Sequence, residues 1–193
     1  MRGFVVVITG FMEIEIHNYL SCSHRLATES GRWDSIVILD SSMGESQFVR
    51  QHSRNSLQLR FDDITTSETN KIEPNSELIS SALSFGLLTE KLIVCCRAGQ
   101  SRSAATAFAI VYEKLGKLEA MKLLNPKRHS PNYWILQIAD ELLERPGILN
   151  AYDEWGMEAG DIRLTDYLDE IESEYDELES IGASDRISRR QSG

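Results

Sequence analysis

Two spacings of apolar residues run through this chain, one suited to buried strands and one to helices. Residues 4–8 (Phe-Val-Val-Val-Ile) are a largely β-branched run closed by Thr9-Gly10, and residues 36–39 (Ile-Val-Ile-Leu) are a second, after Trp33-Asp34. Asp40-Ser41-Ser42-Met43-Gly44 supplies turn chemistry behind it. Residues 56–61 alternate apolar and polar, which predicts a half-exposed strand leading to Asp62-Asp63. Leu92-Ile93-Val94-Cys95-Cys96 reads as a fourth, buried strand. Ahead of it, Leu78, Ile79, Ala82, Leu83 and Leu87 recur at helical spacing after Pro74, with Gly86 near the end. Residues 103–112 are nearly apolar all round, which predicts a central helix ended by Gly116. Further helices are expected over 118–124, stopped by Asn125-Pro126, and over 132–145. In the latter, Trp134, Ile135, Ile138, Ala139, Leu142 and Leu143 make one stripe before Pro146-Gly147. Strands alternating with helices predict an α/β fold, with a central, mostly parallel sheet flanked by helices.

Charge divides the chain in two. Its 193 residues carry 20 basic and 30 acidic side chains, a net of −10. Residues 1–150 hold 16 basic and 17 acidic, whereas residues 151–193 hold 4 and 13. A near-neutral body is therefore followed by a strongly acidic segment, and the expected division is a catalytic-type domain over 1–148 and an acidic helix and tail over 149–193. From Asp161, the residues Leu164, Leu168, Ile171, Tyr175 and Leu178 fall at spacings of four and three. They form a narrow apolar stripe on a helix over 161–181, which either lies back on the body or docks a partner or a second copy. Residues 184–193 read as a frayed tail, in which Arg189-Arg190-Gln191-Ser192 resembles a basophilic kinase site. The acidic balance argues against nucleic acid or anionic lipid as a partner. No apolar run approaches the roughly 20 residues of a membrane span or has the pattern of a secretory leader. Three cysteines make no disulfide framework, so a reducing, cytoplasmic location is expected.

The junction at Cys96 carries the chemistry. A cysteine leaves the end of a buried strand, five residues including Gly99 form a tight loop, and Arg102 arrives as a helix begins. Backbone amides of such a loop and the positive end of the helix make an anion site sized for one phosphate. The same field favours the thiolate of a cysteine at its base. Arg102 can close the site with a bidentate fork that lysine does not match. His17, His24, His52 and His129 have no metal-ligand spacing, and no dinucleotide or nucleotide-triphosphate loop is present, so no metal and no cofactor are expected.

Cys96-Arg97-Ala98-Gly99-Gln100-Ser101-Arg102-Ser103 resembles the C-x5-R-[ST] signature of cysteine-dependent protein tyrosine phosphatases in their dual-specificity form, most nearly the small bacterial-type enzymes. The resemblance covers roughly residues 1–148. Leu59-Arg60-Phe61-Asp62-Asp63-Ile64 is similar to the family segment carrying the general acid, and Ser130-Pro131-Asn132 to the Pro-Asn segment that braces the phosphate loop. The resemblance implies that Cys96 is the nucleophile and that Arg102 holds the phosphoryl oxygens. It also implies that Ser103 hydrogen-bonds the sulfur and that Arg97, Ala98, Gly99, Gln100, Ser101 and Asn132 form the substrate site. Asp63, directly before an aliphatic residue, is the implied acid, and Asp62 is the alternative. The implied activity is hydrolysis of phosphotyrosine, and of phosphoserine or phosphothreonine, in a protein substrate through a phosphocysteine. The alternatives are a phosphoinositide or RNA 5′-phosphate phosphatase, a phosphate-binding scaffold, and a rhodanese-type sulfur transferase. Where the family has His before the nucleophile this chain has Cys95, which reads as a core residue pointing to the opposite face of its strand; the alternative to test is a disulfide from Cys95 or Cys22 to oxidised Cys96.

Overall fold

The protein is described by a computed structural model covering residues 6–9 and 12–188. Among these residues, five strands form one sheet: β1 (Val6–Thr9), β2 (Met12–Asn18), β3 (Asp34–Leu39), β4 (Ser56–Arg60) and β5 (Lys91–Cys96). Their spatial order is β1-β2-β5-β3-β4, parallel throughout except for the antiparallel edge strand β1. The helices are α1 (Tyr19–Thr28), α2 (Gln47–His52), α3 (Ser76–Leu87), α4 (Arg102–Leu115), α5 (Lys117–Leu123), α6 (Tyr133–Leu142), α7 (Ile148–Ala159) and α8 (Leu168–Ser180), the last preceded by a 3₁₀ turn at Leu164–Tyr167. The expected α/β architecture is the one observed. Phe4 and Val5 of the first expected strand lie outside the described residues.

Period-2 alternation sorts the strand side chains into two cores. Leu92, Val94 and Cys96 of β5 join Ile36 and Ile38 of β3 on one face, under α3, α4 and α6. Ile93 and Cys95, with Val37 and Leu39, face the other way into a cluster closed by Tyr19, Cys22 and Leu26 of α1. Helix α4 contributes an unbroken buried run from Arg102 to Tyr112, as its apolar sequence predicts. It approaches α3 closely because Gly86 carries no side chain; a Cβ there would lie 2.5 Å from Ile110 Cδ1.

The structure adds elements that the hydrophobic pattern left unread. β2 alternates Met12, Ile14 and Ile16, which enter the first core, with Glu13, Glu15 and His17. Glu15 and His17 are buried, and partners on α1 make that tolerable: Arg25 donates to Glu15, and His17 bonds Glu15 through Nε2 (2.7 Å) and Ser21 through Nδ1 (3.1 Å). Helix α6 ends at Leu142 rather than 145, because Asp140 Oδ1 accepts from the amides of Gly147 and Ile148 and turns the chain directly into α7.

The C-terminal segment also differs from expectation. Helix α7, inside the span 149–193 assigned to an acidic appendage, packs on α5 and α6 with Ile148 and Ala151 fully buried. Helix α8 lies back on the body, one of the two readings of its stripe: Arg128 pairs with Glu174, and Lys127 sits over the Tyr167 ring in the turn before it. Residues 184–188 are not frayed. Ile187 is 2% exposed in the second core, the Arg186 amide donates to Ser23 Oγ (3.1 Å), and the Arg186 guanidinium covers Phe48. Ile187 and the Arg186 contacts anchor this irregular segment to the body. Residues 189–193, with the kinase-like Arg189-Arg190-Gln191-Ser192, lie outside the described residues.

Candidate active site

The carboxyl ends of the parallel strands meet at one edge of the sheet, where Asn18, Asp40, Asp62 and Cys96 end or follow β2, β3, β4 and β5. This is the edge at which open α/β sheets hold their ligands. Cys96 is buried at the base, with Sγ 3.2 Å from Ser103 Oγ in the first turn of α4. Gly99, at φ +72°, lets the intervening loop press on β2. A Cβ at this position would come within 2.6 Å of Asn18 N and 2.7 Å of His17 C.

The loop carbonyls face outward. Arg97 O accepts from Tyr19 N (3.4 Å), Gln100 O from Ser130 N (3.0 Å), and Ser101 O from Asn132 N (3.4 Å) and Ala105 N (2.9 Å). In a trans peptide the N–H points opposite to the C=O. The amides of Ala98, Ser101 and Arg102 are thereby turned toward the loop's interior. No side chain caps α4, since the Ser101 hydroxyl donates instead to Asp63 Oδ1 (2.7 Å). The helix's positive end therefore remains available to an anion.

Arg102 is 3% exposed and held at two points: Nη1 donates to Phe61 O (2.8 Å), and Nη2 to Asp40 Oδ1 (2.7 Å). Its Nε is buried, makes no hydrogen bond, and lies 3.9 Å from Asp63 Oδ2. Burial works against the guanidinium charge, but the neighbouring Cys96, Asp40 and Asp63 outweigh it and hold Arg102 more firmly protonated than usual.

The two candidate acids separate clearly. Asp62 is buried: its carboxylate accepts from Ser41 N (3.2 Å) and Ile72 N (2.8 Å) and lies 3.8 Å from Lys71. Burial raises its affinity for a proton, yet these hydrogen bonds and the lysine prevail and hold its carboxyl below the usual range. Asp63 instead leans over the loop, 39% exposed at its side chain, accepting through Oδ1 from Ser101 Oγ and from Asn132 Nδ2 (2.9 Å). Asn132 spends the rest of its amide on Ile64 O (3.0 Å) and on capping α6 at Ile135 N (3.2 Å). It is a buried brace between the acid loop and the phosphate loop, not a lining residue. Arg97 and Ala98 are exposed; Gly99, Gln100 and Ser101 are half-buried.

Cys95 is the core residue expected, and the alternative disulfide to Cys96 is not favoured. Cys95 points through the opposite face of the sheet, in the same cluster as Cys22, while Cys96 belongs to the other core. Burial, followed by its hydrogen bond with Cys22, pushes the Cys95 thiol well up, so it stays protonated. Outside the read motif, Asp40 is the main addition. The sequence around it reads as a turn, but its place directly after a buried parallel strand was a usable signal. On the outer side of the loop, a cavity of about 60 Å³ is lined by Ser21, Ala98, Gly99, Arg128, Ile171 and Leu178, so the half-buried part of the α8 stripe abuts the phosphate loop. Among the described residues no His, Cys, Asp or Glu cluster could hold a metal ion, and no helix is long and apolar enough to cross a membrane.

No protein-family model and no curated protein matches the chain. Solved structures do. A human tyrosine phosphatase-like serine/threonine/tyrosine-interacting protein is similar at 19% identity, over 74% of this chain and 96% of that one, with a TM-score of 0.50. PTPMT1 in complex with PI(5)P is similar at 13% identity, over 76% and 94%, with a TM-score of 0.49. The Yvh1 phosphatase domain from Chaetomium thermophilum is similar at 15% identity, over 82% and 98%, with a TM-score of 0.43. With its parallel sheet, its cysteine–arginine loop and its opposing aspartate, this chain has the fold of the cysteine-dependent tyrosine and dual-specificity phosphatase superfamily.

Proposed function

We propose that the protein is a cysteine-dependent phosphatase that hydrolyses phosphotyrosine in protein substrates, and phosphoserine or phosphothreonine as well. The observation that carries the reading is the placement of Asp63. Its carboxylate is hydrogen-bonded to Ser101 and lies 3.9 Å from Arg102 Nε, facing the loop whose base holds Cys96 and Ser103. A phosphate-binding scaffold has no use for an acid at that point; a leaving group does. Nor does sulfur transfer account for it.

In the proposed reaction the Cys96 thiolate attacks phosphorus in line and the P–O bond to the substrate breaks. The departing oxygen takes a proton from Asp63. Arg102 and the inward amides hold the equatorial oxygens as charge redistributes. A water, deprotonated by the Asp63 carboxylate, then attacks the phosphocysteine, and Ser103 donates to the sulfur as it leaves as thiolate. Phosphate is released with no cofactor required. The near-neutral body provides no cationic track for RNA, and within the loop Arg97 is the basic side chain added to Arg102. Both features favour a phosphoprotein over a polyanionic substrate.

Hydrolysis of a phenyl phosphate by wild type and Cys96→Ser tests the activity: turnover in the wild type and none in the variant is expected, and equal rates would remove the reading. Comparing a phosphotyrosine peptide with a phosphoinositide then tests the substrate class, the peptide being the better substrate.

A further inference from the structure

Away from the phosphate loop, Tyr152, Trp155, Gly156 and Ala159 fall on one face of α7 and line an open cavity of about 410 Å³. Tyr152 and Trp155 form a stacked pair there, with ring centroids 5.6 Å apart and planes 20° from parallel. Gly156 and Ala159 leave the space beside them open; a Cβ on Gly156 would meet no atom within 4 Å. Ile162, Arg163 and Leu164 of the segment after α7 also line the cavity, as does His129 of the turn between α5 and α6. We propose that this cavity binds a small organic acid, a carboxylate carried on a flat, apolar ring system.

His129 supplies a hydrogen-bond donor. The residue is 5% exposed, and its Nδ1 accepts from the Asn125 amide (3.0 Å). Burial, with Arg128 nearby, keeps the imidazole uncharged at neutral pH. The neutral ring therefore carries its proton on Nε2, and this N–H makes no hydrogen bond with any described residue. A buried donor without a partner favours a ligand that brings an acceptor. Arg163 supplies the charge. Residues 151–193 hold 13 acidic and 4 basic side chains, yet among the described residues lining the cavity there is no aspartate or glutamate, and one of the four cations is there. A guanidinium fork, a neutral N–H and aromatic walls match a monoanion with an apolar body. Free phosphate has no apolar surface to bury against those walls and is better matched by the Cys96–Arg102 loop. The volume falls in the range of about 300–1,000 Å³ usual for small-molecule sites. The inference stands whether or not the loop hydrolyses phosphate esters.

The test is titration calorimetry of the full chain with naphthoate, and with naphthylmethanol, which keeps the rings and lacks the charge. Naphthoate is expected to bind one to one with a Kd on the order of 0.1 mM, and the alcohol about tenfold or more weakly. Gly156→Leu puts a side chain into the cavity at a helix position that leucine favours. It is expected to weaken naphthoate about tenfold or more without lowering the melting temperature. Arg163→Gln, an exposed change, is expected to cost about fivefold or more. Excess inorganic phosphate, which would occupy the Cys96–Arg102 loop, is expected to leave the affinity within about twofold. Should Gly156→Leu fail to fold, Ala159→Leu fills the same cavity and decides in its place. The proposal is overturned if naphthoate does not bind the wild type, if either the filling variant or Arg163→Gln binds it as tightly as the wild type does, or if phosphate displaces it. An alcohol that binds as tightly as the acid overturns it as well.

Discussion

Asp62 and Asp63 are chemically identical neighbours with opposite surroundings, one enclosed and the other facing the phosphate loop. Asp62 is enclosed by two backbone amides and a lysine, which stabilise its charge and tie the loop after β4 to residues 41 and 72. Asp63 turns Oδ2 toward Arg102 and is partly open to solvent above the loop that holds Cys96. Asp63→Asn is accordingly expected to lower kcat on phenyl phosphate by about tenfold or more and to flatten the alkaline limb of the pH–rate profile, which reports the acid. Asp62→Asn should instead lower the melting temperature. Its carboxylate stabilises the fold fully above its unfolded pKa, and that contribution disappears as pH falls through the lower folded value. Steady-state kinetics beside thermal melts of the two variants check the assignment, which is wrong if Asp62→Asn shows the kinetic loss.

At the level of elements, the phosphate loop is a contact between the end of β5 and the end of β2 as much as a feature of its own sequence. Gly99→Ala is expected to abolish phosphatase activity while leaving the sheet intact. The added methyl would collide with backbone atoms of His17 and Asn18, which cannot rotate away as a side chain can, and φ +72° disfavours any residue with a Cβ. Turnover with the far-ultraviolet circular dichroism of the same variant checks both halves of this statement. Physical locality explains what could be read beforehand. The strand, loop and helix from Leu92 to Tyr112 are contiguous, and their apolar and glycine signals need no distant partner. β2 escaped notice because Glu15 and His17 interrupt its apolar pattern, and only Arg25 and Ser21, on a helix folded over them, make those residues acceptable inside. Asp40 looks like ordinary turn chemistry until β3 is placed beside β5. The apolar stripe on α8 was visible, but which surface it would meet depends on Arg128 and the loop wall, 40 or more residues away in sequence.

Over the whole molecule, stability and the site share a pH-sensitive support. His129 lies beside Ser130, whose amide holds Gln100 of the loop, and its Nδ1 accepts from Asn125 N (3.0 Å). Burial, aided by Arg128, pushes this imidazole down from 6.5 to about 4. Between those values the unfolded chain binds the extra proton, so the stability tied to neutral His129 is full above pH 6.5, is lost as pH falls toward 4, and declines no further below. Melting temperatures from pH 7 to 4.5 should fall with a loss of up to about 3 kcal/mol from this group, and His129→Gln should reduce the slope. Part of it will persist, because burial lowers the pKa of His17 in the same direction, against the pull of Glu15. An unchanged slope in the variant would show that His129 is not the group responsible. Ile187 carries the last consequence. It fills the cluster that also contains Cys95, the residue adjoining Cys96, so the rear face of β5 is covered by a segment far along the sequence from it. Strand pairing alone therefore leaves one side of β5 uncovered, and the support behind the loop is complete only once that late segment has docked.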